Sequence, residues 1–128
     1  GDLKLSMSAG LAEAMEERLL DFAVRIGAVV DALPETRLGR HIAGQLIRCG
    51  TSPAPNYAEA DAAESKADFI HKLGIVFKEL RECRIWLKLI IKAKLLANSR
   101  IAQLLDECQQ LCKIIGSSLI TAKKNRKD

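Results

Sequence analysis

Aromatic side chains are scarce. One Trp, one Tyr and three Phe make up 4% of the 128 residues. A core must therefore be built from Leu, Ile, Val and Ala, which suits packed helices. No apolar run approaches the roughly 20 residues that span a bilayer, so a transmembrane helix is excluded. The opening Gly1-Asp2-Leu3-Lys4-Leu5-Ser6-Met7 has no apolar core of the signal-peptide kind, and a cytoplasmic location is expected. Catalytic patterns are missing as well. His41 and His71 are the only histidines, and no HExxH, phosphate-cradling Gly-rich loop or Ser/His/Asp order occurs. Glu59 and Glu64 have no acid–base partner at a recognisable spacing. Glu79 and Glu82 lack the Glu-x-x-His pairs of a di-metal bundle. The expectation is a protein that is not an enzyme, with no cofactor and no metal.

What is present is apolar: 48% of residues are hydrophobic, enough for one folded domain with a real core. Cys49, Cys83, Cys108 and Cys112 lie among apolar helical positions and read as small buried thiols, not as disulfides or a zinc site. The charge is divided. Residues 65–128 carry fourteen Lys/Arg against six acids, a net of +8, whereas residues 1–64 are net −4. Split polarity of this kind suggests a polyanionic partner.

Apolar periodicity predicts four helical segments and no strand. The first runs over residues 11–33, with Ser8 as a possible cap and Pro34 as its stop. The second runs over 36–63 from a Thr36 cap. Its Gly50-Thr51-Ser52-Pro53-Ala54-Pro55 stretch predicts a break near 50–54, with Gly50 closing one half, Ser52 capping the next and Pro53 at its first position. The third runs over 66–96 from a Ser65 cap, and the fourth over 98–124 with Asn98 or Ser99 as cap. Short loops make neighbours antiparallel. The fold class expected is all-α, an up-down-up-down four-helix bundle over residues 11–124, with a flexible 1–10 and a basic tail at 125–128.

The third segment is apolar on two faces. Phe69, Leu73, Val76, Phe77, Leu80, Leu87 and Ile91 face the bundle core; Ile75, Trp86 and Leu89 lie opposite, flanked by Glu79 and Glu82. These five residues are the candidate interface with another copy of the chain, with Arg48 or a partner's cation to neutralise the acids. The alternative is that Trp86 is covered by its own neighbouring helix. Between the faces run Lys78, Arg81, Arg84, Lys88 and Lys92. With Lys123, Lys124, Arg126 and Lys127 they form the candidate nucleic-acid site, a surface for phosphates and not for bases, since no aromatic interleaves with the stripe.

Several stretches carry a family likeness: Gln45-Leu46-Ile47-Arg48-Cys49-Gly50-Thr51-Ser52, Asn56-Tyr57-Ala58-Glu59-Ala60, Asp68-Phe69-Ile70-His71-Lys72-Leu73, Lys78-Glu79-Leu80-Arg81-Glu82, Trp86-Leu87 and Ser117–Asn125. Over roughly residues 15–125 the chain resembles the bacterial four helix bundle protein family of ribosomal RNA intervening sequences. It also resembles the related accessory variability determinant of diversity-generating retroelements. Cys49 stands where that family usually has Ser, and Pro53 and Pro55 replace its usual Ile and Ala. The resemblance implies a homopentameric ring. For the retroelement branch it also implies RNA or DNA binding and a reverse transcriptase partner. The function expected is an oligomeric, non-enzymatic nucleic-acid-binding accessory protein; a protein-interaction scaffold is the alternative.

Overall fold

The computed structural model describes residues 2–125, and side chains from residue 9 to residue 125. Five helices follow in order: α1 (Asp2–Ala32), α2 (Arg37–Thr51), α3 (Pro53–Asp61), α4 (Lys66–Lys92) and α5 (Asn98–Lys124). No strand occurs among the described residues. The backbone is helical from Asp2, so Ser8 lies inside α1 and not at its cap. Arg126 and Lys127 of the basic tail lie outside the described residues.

Local chemistry sets most of the boundaries. The Thr36 hydroxyl accepts from Gly39 N at 3.0 Å and opens α2; Ser65 does the same for Asp68 N at 3.1 Å and opens α4. Asn98 and Ser99 cap nothing: α5 starts from Ala97, which offers no side-chain acceptor. The end of α4 is a Schellman turn. Lys94 N donates to Ile91 O at 3.1 Å, and Leu95 N to Ile90 O at 3.1 Å. The left-handed position of that turn, φ 56°, is held by Lys94 where glycine would be unstrained.

The expected break falls at Ser52, yet the helical path continues through it. Ser52 keeps helical angles (φ −72°, ψ −36°), its N–H donates to Arg48 O at 3.1 Å, and its carbonyl accepts from Asn56 N at 3.2 Å. The Ser52 side chain caps no backbone N–H; the Asn56 amide donates to Ser52 Oγ at 2.9 Å instead. Pro53 takes the first position of α3, where proline is best tolerated. Without an N–H it leaves the Cys49 carbonyl unbonded by its i+4 residue, so the hydrogen bonding is interrupted and the path is not. Gly50 does not close α2. It is buried inside the helix, at the crossing with α1, where a Cβ would stand 2.5 Å from Ile26 Cγ2. Glycine serves close approach there.

α2 and α3 thus act as one rod. α4 packs on α2, α3 and α5, and α1 packs on the same three; α1 and α4 face each other diagonally, and their Cα atoms do not come within 8 Å of one another among the described residues. The four rods close around Leu19, Phe22 and Ile26 of α1, Ile42, Leu46 and Cys49 of α2, Leu73, Leu80, Cys83 and Leu87 of α4, and Ile101, Cys108, Leu111 and Ile115 of α5. On α4 the core is centred differently from the periodicity reading. Ile70, Cys83 and Ile90 are buried, while Phe69, Phe77 and Ile91 are only half-buried at the margin. Cys49 Sγ lies 3.2 Å from Cys83 Sγ, and Cys108 Sγ contacts Leu80 O at 3.3 Å. The hydrogen bond that Cys83 donates to Cys49, and after it burial, push the Cys83 thiol well up, so it stays neutral.

Lys94→Gly relieves the left-handed strain of about 1 kcal/mol, less the backbone freedom glycine adds to the unfolded chain. A net gain of roughly 0.5 kcal/mol is expected in urea unfolding.

Candidate nucleic-acid interface

α4 places Lys78, Arg81, Arg84, Lys88 and Lys92 on one outer arc of about 120°, at about 100° per residue. All but the half-buried Arg84 are exposed. Lys123 and Lys124 are exposed in the last turn of α5, where cations also suit the negative helix end. The ion pairs among the described residues join Arg18 to Glu107, Arg48 to Glu79 and Glu82, and Lys72 to Glu59. None of the candidate cations on α4 or α5 has a carboxylate partner among them.

Glu79 and Glu82 of α4 are taken up from the other side. Arg48 of α2 donates Nη1–H to Glu79 Oε2 at 2.9 Å and Nη2–H to Glu82 Oε2 at 2.6 Å. The bonds to Glu82 first, then the Glu79 charge, hold the Arg48 guanidinium still more firmly protonated. Glu79 is 6% exposed and needs this partner, because a buried carboxylate without one is costly. Beside them the His41 ring meets Trp86 edge-on, centroids 5.7 Å apart. Ile75, Trp86 and Leu89 are half-buried, and Trp86 and Leu89 pack against the protomer's own core. Part of the cover that the sequence reading assigned to a second copy thus comes from the same chain. Arg18 performs a parallel service on α5, bonding Glu107 at 2.8 and 2.7 Å and drawing its carboxyl below the usual range.

An open groove of about 790 Å³ runs between α4 and α5 beside the basic arc. Arg81 and Arg84 line one wall, Gln109, Lys113 and Ser117 the other, and the half-buried Phe77 reaches into the lining. Arg81 Cζ sits over the Phe77 ring, 5.6 Å from its centroid. An aromatic does therefore join the stripe, contrary to the sequence reading, which gave Phe77 wholly to the core. Lys113 was not singled out either: it lies on a different helix, and only the packing of α5 on α4 brings it to the arc. Cys112 lines the same groove. Its thiol is drawn down by a hydrogen bond from Cys108 and by the charges of Arg84 and Arg81, against the opposing effect of burial.

Residues 14–117 match the family described as 23S rRNA-intervening sequence protein. The chain is also similar to a protein of unknown function from the S23 ribosomal protein family of Bacteroides thetaiotaomicron VPI-5482, solved as a crystal structure. The two are 32% identical with a TM-score of 0.75, over 81% of this chain and 96% of that one. A search of curated proteins returned no match.

Arg48→Ala strands the Glu79 carboxylate in the α2–α4 seam and lowers the thermal midpoint. Adding Glu79→Gln to that variant recovers much of the loss, because a neutral amide is cheaper to bury than an orphaned charge. Differential scanning calorimetry of the two variants checks this.

Proposed function

We infer a function from two facts taken together: the chain belongs to the 23S rRNA-intervening sequence protein family, and the cations of α4's outer arc have no carboxylate partners among the described residues. The protein binds RNA, without catalysing a reaction on it. Lys78, Arg81, Arg84, Lys88 and Lys92 hold the phosphate backbone, and Lys123 and Lys124 extend the contact at the far end of α5. The unpaired arc is the observation that carries this reading. A cation already bridged to a carboxylate has little charge left to offer a phosphate, whereas a free one releases condensed counterions when RNA docks.

Self-association extends the same idea. In a ring of copies, five by the resemblance, the arcs repeat and form a belt that a long polynucleotide could follow. A reverse transcriptase partner in a diversity-generating retroelement is the outermost part of the proposal. It rests on the resemblance alone, as neither family description above mentions one.

The test is a charge-reversed variant, Arg81→Glu with Lys88→Glu and Lys92→Glu, compared with the unaltered chain for binding to a structured RNA. Each single-strand phosphate contact is worth about fivefold at 0.1 M salt, so three lost contacts cost at least about a hundredfold. Light scattering and circular dichroism establish that fold and assembly are kept. Retained affinity moves the site off α4. No binding by the unaltered chain rejects the RNA reading and leaves the protein scaffold.

A further inference from the structure

We infer that the groove between α4 and α5 takes an unpaired base of the bound RNA, so that the protein prefers single-stranded or looped RNA over duplex. This rests on the RNA-binding reading above and adds a second mode of contact to it. Phosphates need only the exposed cations of the arc. The groove beside them offers what a base needs.

Phe77 supplies an aromatic surface, and Arg81 lies over it, 5.6 Å from the ring centroid. Aromatic rings and guanidinium planes are the surfaces on which single-stranded RNA stacks its bases. The ring is seated by Gly116 of α5. A Cβ at that position would stand 3.0 Å from Phe77 Cε1, so any larger residue would push the ring aside. Gln109 and Ser117 on the opposite wall supply amide and hydroxyl groups for a base edge. No hydrogen bond among the described residues engages either side chain. Arg84 and Lys113 stand at the rim for the flanking phosphates, and Asp106 is the one acid in the lining. The groove, about 790 Å³, has room for a nucleotide with its phosphate. A duplex keeps its bases stacked inward and can reach only the cations.

Cys112 reports on occupancy. It is the half-buried cysteine of the groove, while Cys49, Cys83 and Cys108 are fully buried. Its lowered thiol pKa favours attack by N-ethylmaleimide. The unaltered protein is treated with this reagent alone, with a short unstructured RNA at saturation, and with a blunt RNA duplex at saturation; modification is followed by mass spectrometry. Cys112 is expected to react first in the free protein, to slow at least about tenfold with the unstructured RNA, and to stay within about twofold of its free rate with the duplex. In parallel, Phe77→Leu keeps the site apolar but removes the stacking surface. It is expected to weaken the unstructured RNA roughly fivefold to tenfold and the duplex less than twofold.

A Cys112 rate unchanged by the unstructured RNA overturns the inference, and so does equal protection by the duplex. In both cases phosphate binding on α4 stands. A Cys112 inert in the free protein also overturns it, since the groove is then closed. Binding of neither RNA sinks the parent reading along with it.

Discussion

One guanidinium decides how the charges of this molecule are sorted. Arg48 reaches from α2 to α4 and gathers both Glu79 and Glu82. Lys78 is four residues from Glu82 on the same helix, a spacing at which the two could pair across the surface. With Glu82 turned toward Arg48, Glu79 and Glu82 belong to the seam between helices and the cations of the arc belong to solvent. Arg18 does the same on α5 with Glu107. The net positive charge then stands as an open field on one side of the bundle, where a polyanion can approach it.

The same seam limits how α2 and α4 may pack. A buried ion pair contributes little net stability, but misplacing either partner by one helical turn would leave a charge without its counterpart. Register is also held by Gly50, whose missing side chain lets α1 lie against α2 at Ile26. Steric fit on one side of α2 and charge on the other leave that rod few positions. With α2 placed, α4 is placed, and with it the arc and the groove that α5 completes.

Much of the fold was legible from the chain because it is written in local terms. Thr36 and Ser65 announce helix starts through their own hydroxyls, and the 3–4 rhythm of Leu and Ile marks the buried stripes. The cations of α4 lie on one arc by spacing alone. What depended on other helices was not legible. Gly50 reads as a stop signal in isolation, and only the α1 crossing makes it a packing residue. Phe77 and Arg84 share one border of the α4 wheel. Periodicity says where a side chain points, but not how far the neighbouring helix extends to cover it. Lys113 and Cys112 join the site across a gap in sequence that no short motif spans. Lys94 fills a left-handed position where glycine would be unstrained, so composition gave no hint that α4 ends at Lys92 and not at residue 96. The start of α5 at Asn98 was legible, although its cap position falls to Ala97.

The central claim is that the cations on α4 and the end of α5 are free to neutralise phosphates. The most direct measurement is the dependence of RNA affinity on salt between about 50 and 200 mM. Engagement of four or five of these side chains predicts a slope of about −3 in log Kobs against log salt concentration. A slope near zero, with binding still present, would contradict the account.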